Sequence, residues 1–410
     1  MMTSSNIDIL NMHIRTWNNH SIDLPLPDIY KDNKNIIALP GLIDPHVHFR
    51  VPGAEEKEDW KTGSKAALAG GYTTVFDMPN NNPPCINTAT LHEKVTCIEH
   101  MLEEIHSPLK YKLWIGATRE NIGTIPAVKD HIIGIKIFMG ASTGTLLMDD
   151  PDAQELLFKM AGEHNMVIGA HAEDEKILQQ GQQMFEGTTD VHDHSHIRDR
   201  NAAVTAVSRA ITLAKTYHTK LYLLHVSTKE EVAIIRSAKQ EGLNVYAEVT
   251  PHHLFLSEKD YDTLGTKAQM NPPLRTEDDQ KALWQGIVDG TIDTIGTDHA
   301  PHTLEQKSLP YGQAPSGVPG IETALPLMLN AYHNGQVTLE HIVALMHTNI
   351  TKIFSYIPQK TWTIVDLDMK KIIQNNELST KCGWSPFAGR ELTGWPIGVS
   401  IHNTYYPSHT

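Results

Sequence analysis

A chain of 410 residues with 40% hydrophobic side chains is long enough to bury one large core, and its 48 acidic against 34 basic residues leave a net charge of −14. That balance argues against a surface built to hold nucleic acid or anionic lipid, since both require a positive field. Three cysteines, Cys85, Cys97 and Cys382, form neither a C-x-x-C metal pair nor an even disulfide set, so inert, reduced thiols in a cytosol-like compartment are expected.

The opening MMTSSNIDILNMHIRTW lacks the basic flank and continuous apolar run of a signal peptide. No later stretch reaches the roughly 18 apolar residues of a membrane span, so a cytoplasmic, soluble protein is expected. Residues 1–40 follow no repeat. From Gly41 onward, short apolar runs at 41–49, 72–78, 111–117, 132–139, 166–172, 221–227, 244–250 and 292–300 alternate with longer segments. Segments 59–69, 91–105, 153–164, 202–217, 229–241 and 278–288 have the period of amphipathic helices. Eight strand-then-helix units predict an α/β fold, a closed (β/α)8 TIM barrel spanning 41–359. Residues 1–40 and 360–410 should pack beside it as a small accessory β-domain. An open, doubly wound sheet is the alternative; it would carry fewer strands and a glycine-rich phosphate loop after the first, which this chain lacks.

Metal-capable and carboxylate residues recur near the C-terminal ends of these strands, where barrel enzymes keep their active sites. His46 and His48 close the first strand at spacing i, i+2, so both imidazoles should face one side, with Arg50 following at i+4. Lys136 lies in the fourth strand, His171 ends the fifth, His225 the sixth and Asp298 the eighth. Any one of the chain's 24 histidines is more simply a satisfied core or surface residue. Their convergence on one barrel mouth is what points to a metal, and neutral imidazoles with a carboxylate suit Zn²⁺, with Mn²⁺, Co²⁺ or Fe²⁺ as alternatives.

PGLIDPHVHFR (40–50), DMPNNNPP (77–84), GIKIFMG (134–140), GAHAED (169–174), LLHVS (223–227), NPPLR (271–275), GTDHAPH (296–302), SGVPGIETALPL (316–327) and KCGWSPFAGRELTG (381–394) resemble dihydroorotases of the amidohydrolase superfamily. H-x-H and T-D-H mark only the superfamily; HFR with MPN, NPPLR and APH narrows the likeness. The resemblance implies a cyclic amide hydrolase of pyrimidine biosynthesis that interconverts dihydroorotate and N-carbamoyl-aspartate. It implies two Zn²⁺ per subunit, with His46, His48 and Asp298 on the more buried ion and His171 and His225 on the more exposed one. Lys136, carboxylated by CO₂, would bridge them, and Asp149 or Asp150 is the fallback bridge.

Such ions lower the pKa of a shared water and polarise the amide carbonyl, while Asp298 would act as base and then as acid. Arg50 would grip the ring carboxylate with Asn80 and His302, and Asn271 with backbone near Gly317 would read the amide edges of the ring. His299 is read as structural. Val51 stands where the family usually has an acidic residue, and the accessory β-domain looks abbreviated. The loop 140–147 is either a lid or a plain surface loop. A homodimer and an association with aspartate transcarbamoylase are the partners the family implies. Two competing readings are another cyclic amidase, such as a hydantoinase or allantoinase, and a non-catalytic scaffold.

Overall fold

The computed structural model describes residues 8–142 and 144–408. Three strands come first: β1 (Ile9–Thr16), β2 (Ser21–Pro27) and β3 (Ile36–Pro40). Eight follow in alternation with helices: β4 (Leu42–Val47), β5 (Tyr72–Asp77), β6 (Lys110–Gly116), β7 (Gly134–Phe138), β8 (Val167–His171), β9 (Lys220–Leu223), β10 (Val245–Val249) and β11 (Thr294–Ile295). The last three are β12 (Thr361–Ile372), β13 (Glu391–Ile401) and β14 (Thr404–Pro407).

Strands β4 to β11 form one parallel eight-stranded sheet in sequence order. β4, β5, β7 and β8 are buried at every position, because helices cover the outside and the barrel's own side chains fill the inside. The helices start where the sequence supplies acceptors for their first N–H groups. Asp59 caps Trp60–Ala69, and Thr228 with Glu231 forms a capping box on Lys229–Gln240. β1–β3 and β12–β14 share a separate six-stranded sheet, ordered β14-β13-β12-β3-β1-β2. The two ends of the chain thus build one accessory layer through the antiparallel β3–β12 pair.

The barrel closes through side-chain chemistry more than through a strand ladder. Only an isolated bridge joins Val47 to His299, with His48 N–H donating to the His299 carbonyl at 2.9 Å. Beneath it, buried Asp44 accepts from the backbone N–H groups of His46 (3.1 Å) and Thr297 (3.0 Å) and from the Thr297 hydroxyl (2.5 Å). One carboxylate therefore stitches the first strand to the chain after the last.

The floor is a buried cluster that includes Ile43, Phe76, Trp114, Tyr222 and Phe354. Trp114 fits there because glycines face it: a Cβ at Gly134 or Gly169 would lie 2.6 or 2.7 Å from its ring.

Two strands are shorter than the apolar runs suggest. β9 stops at Leu223 and β11 spans only Thr294–Ile295, so His225 and Asp298 lie past the strand ends. Both have positive φ, 38° and 45°. The backbone leaves the sheet there in a left-handed turn, a departure that a hydrophobic pattern does not record.

Removing the seam's acceptor leaves two buried N–H groups and a hydroxyl unsatisfied. Asp44→Ala should cost about 3 kcal/mol in denaturant unfolding, whereas Asp44→Asn, which keeps an acceptor oxygen, should cost clearly less. Equal loss in both variants would mean that the seam depends on the charge and not on the acceptors.

Candidate metal centre

Above the floor, inward-facing residues of the strand ends gather around a cleft enclosing about 370 Å³. His46 Nε2 lies 3.2 Å and His48 Nε2 3.0 Å from Asp298 Oδ1. Across the cleft His171 Nδ1 lies 3.0 Å from His225 Nε2. The outward nitrogens are committed elsewhere. His46 Nδ1–H donates to Glu248 Oε1 (2.8 Å), His48 Nδ1–H to Asn80 Oδ1 (2.8 Å) and His171 Nε2–H to Glu173 Oε2 (2.9 Å).

Those donors fix the tautomers, so the inward nitrogens of His46, His48 and His171 present lone pairs. Lone pairs then face the Asp298 oxygen. Double protonation would relieve that contact, but burial drives His48 down to about 3 and also holds His171 and His225 below the ordinary imidazole range. A cation between the groups relieves it as well. His46, His48 and Asp298 have donor atoms all within 4.8 Å of one another, and two neutral imidazoles with a carboxylate fit a divalent ion such as zinc.

Lys136 is 1% exposed, lines the same cleft, and has its Nζ 4.6 Å from the centre of the Phe138 ring. Burial lowers its ammonium to about 7, so the neutral amine is accessible near physiological pH. The fallback carboxylates are not there. Asp150 caps the helix Pro151–Glu163 and pairs with Arg119, and Asp149 is exposed. An acid following a strand here serves the next helix, which corrects the alternative bridge.

Arg50 does not continue the β4 periodicity. The strand ends at Val47 and Arg50 has φ of 65°; the turn brings its side chain to the cleft wall. Its Nε–H donates to the Pro301 carbonyl (3.1 Å), and its Nη2 is 3.3 Å from His302 Nε2. Burial lowers its pKa to about 10, so it remains cationic, and among the described residues no carboxylate pairs with it directly. Asn80 and Gly317 line the cleft beside it. Gly317 is required by space: its φ is 131°, and a Cβ would sit 2.6 Å from the Ala300 carbonyl. His302 donates from Nε2 to the Ser316 carbonyl (3.1 Å), and among the described residues its Nδ1 has no partner. Asn271 lines the cleft as well, and among the described residues its buried Oδ1 has no partner.

His299 has a structural place. It is fully buried, its Nδ1 accepts from Gly320 N–H (3.2 Å), and its Nε2 lies 3.3 Å from Glu58 Oε2.

Sequence reasoning missed the carboxylates behind the imidazoles. Glu248, 0% exposed, receives the His46 Nδ1–H and the His225 backbone N–H (3.2 Å) on one oxygen, and the Tyr222 hydroxyl (2.8 Å) on the other. Its signal was being the one acid in the otherwise uncharged strand VYAEV. Glu173 is held by Arg198 Nε at 3.1 and 3.2 Å. Burial would raise its carboxyl, yet Arg198 and His171 hold it well below the usual range.

Residues 37–356 match the Amidohydrolase family. The chain is 34% identical over 382 residues to the dihydroorotase of Bacillus subtilis, covering 90% of this chain and 86% of that one. It is 36% identical over 385 residues to the dihydroorotase of Methanosarcina acetivorans, covering 89% and 80%. It also matches the Multifunctional protein pyr1-3 of Dictyostelium discoideum at 35% identity, spanning only 15% of that much longer protein. Among solved structures, the L-hydantoinase of Arthrobacter aurescens superimposes with a TM-score of 0.87 at 25% identity, over 96% of this chain and 95% of that one. A parallel barrel carrying an H-x-H pair, two further histidines and an aspartate at its mouth is thus matched in sequence across most of its length, and the chain belongs to the amidohydrolase family.

Proposed function

We propose that this chain is a dihydroorotase, interconverting dihydroorotate and N-carbamoyl-aspartate in pyrimidine biosynthesis. The observation that carries the reading is Arg50: a buried guanidinium with no direct carboxylate partner among the described residues, lining the same cleft as the histidine cluster. An uncompensated buried cation is costly unless an anion arrives to meet it. Dihydroorotate supplies one carboxylate on its ring, whereas a simple hydantoin supplies none.

His46, His48 and Asp298 would hold one divalent cation and His171 and His225 a second, with Lys136 carboxylated as the bridge; zinc is the metal this donor set suits best. Such ions would polarise the scissile carbonyl and make water acidic enough to ionise near neutral pH. Everything else falls to the chain. Arg50 binds the ring carboxylate, with Asn80 and the His302 ring beside it. Asn271, whose Oδ1 has no partner among the described residues, accepts an N–H of the ring, and the backbone at Gly317 reads its other amide edge. The Asp298 carboxylate takes the proton of the attacking water and delivers it to the ring nitrogen as the C–N bond breaks. In the reverse direction the same carboxyl group removes the ureido proton, and ring closure consumes one proton overall.

The division into a barrel over 41–359 and an accessory unit from 1–40 and 360–410 belongs to the same reading. So do a homodimer and an association with aspartate transcarbamoylase, the latter suggested by the multifunctional relatives. Among the described residues no helix is long and apolar enough to cross a membrane, which accords with a cytoplasmic enzyme.

Arg50→Ala should lower kcat/KM for dihydroorotate by roughly 10²–10³-fold, the usual loss when one partner of a buried charge pair is removed. Metal content should stay at the parent level. A parent enzyme that hydrolyses an unsubstituted hydantoin faster than dihydroorotate, or an Arg50→Ala variant that leaves their ratio unchanged, would overturn the substrate assignment. Asp298→Asn preserves shape and removes the proton acceptor, so turnover should drop by about 10³-fold or more, with an unchanged circular dichroism spectrum. Residual activity within tenfold of the parent would place the proton transfer on another group.

A further inference from the structure

The substrate wall has an unusual support. Asn271 and Ser316 line the reaction cleft on one side and a second cavity of about 830 Å³ on the other. Gln269 and Ala314 line that second cavity too. Met270 anchors one segment of the partition in a buried apolar cluster with Ala268 and Val318, but Gln269, Asn271, Ala314 and Ser316 all line open space, where packing alone leaves the spacing of the two segments loosely set. Hydrogen bonds set that spacing. Gly317 N–H donates to the Gln269 carbonyl (3.0 Å), and Gln269 Nε2 donates to the Ala314 carbonyl and the Ser316 hydroxyl (both 3.1 Å).

The third connection is a lysine that the proposed chemistry does not use. Lys307 ends the short helix Leu304–Lys307 and is 0% exposed. Its Nζ donates to the Gln269 carbonyl at 2.9 Å and to the Pro315 carbonyl at 2.8 Å, one from each strand of the partition. Its own carbonyl accepts from the Thr266 hydroxyl at 2.7 Å. Among the described residues it has no carboxylate partner, and burial lowers its ammonium to about 7. A methionine would fill the same space without desolvating an amine, so packing alone does not explain a lysine here.

We propose that Lys307 is a positioning residue for substrate recognition: its amine clamps the two segments that carry Asn271 and Gly317 at the separation needed to read the cyclic amide. This rests on the assignment of those two residues to ring recognition. The amine touches neither the cleft nor any of the proposed metal-binding residues, so its removal should weaken substrate capture and leave the chemical step in place.

The test is the steady-state kinetics of Lys307→Met with metal content measured alongside. KM for dihydroorotate should rise about tenfold, with kcat within threefold of the parent and metal content unchanged, and Lys307→Arg should restore part of the KM. If Lys307→Met does not fold, Gln269→Met, which removes two other bonds of the same partition, should shift KM in the same direction. Unchanged KM in the folded variant, whatever its melting temperature, overturns the proposal, as does a fall in kcat that follows loss of metal. A parent inactive on dihydroorotate would sink the activity reading alone. The same comparison, made with the cyclic amide that the parent does hydrolyse, would then decide the role of Lys307.

Discussion

The contact on which the rest depends is the hydrogen bond from His46 Nδ1 to Glu248, buried at 2.8 Å. A carboxylate can only accept, so the proton is held on the outer nitrogen and a lone pair is left facing the cleft. Asn80 does the same for His48 and Glu173 for His171. Without these acceptors the imidazoles could turn over or exchange tautomers, and the cluster would lose its affinity for cations. The acceptors are themselves anchored: Glu248 by Tyr222, whose ring is part of the barrel floor, and Glu173 by Arg198. The packing below and the charge pair beside the cleft thereby reach the nitrogen atoms that matter.

The opposite wall obeys another rule. Around the imidazoles burial favours neutrality, whereas at Arg50 burial lowers the pKa only to about 10, leaving a cation. One cleft thus holds neutral imidazoles and the Asp298 carboxylate for metal next to a fixed positive charge that no carboxylate pairs with directly among the described residues, and the two demands are separated by only a few residues, because the chain turns sharply after β4. The left-handed conformations at Arg50, His225 and Asp298 are where the backbone leaves the regular lattice of the sheet to aim these side chains. Such conformations are uncommon for residues with a Cβ, and at these three positions they aim functional side chains into the cleft.

Much of the architecture could be read in the chain itself. All eight apolar runs overlap barrel strands, and the six helical segments match helices to within a few residues, because a strand covered on both faces and a helix covered on one leave different periodicities. His46, His48, Lys136 and His171 were legible as neighbours because they lie at or near regular strand ends. Arg50 was legible as a residue but not as a geometry, since its i+4 spacing from His46 has no meaning once φ turns positive. Asp150 misled because an acid after a strand is also what a helix N-terminus wants, and Asp149 beside it is exposed. Glu248 could have been suspected as a charge in a buried strand. Lys307 had no local signal at all, because its partners are set by how two distant loops meet.

The central claim is that these imidazoles and Asp298 hold divalent ions that dihydroorotate hydrolysis needs. The most direct measurement is metal content by atomic absorption beside dihydroorotate turnover, on one preparation before chelation, after chelation, and after zinc is restored. The account predicts about two ions per chain, loss of turnover as they are removed and recovery on their return, while the circular dichroism spectrum is retained. Turnover that persists in fully metal-free protein, or a purified protein that takes up no stoichiometric metal, would contradict it.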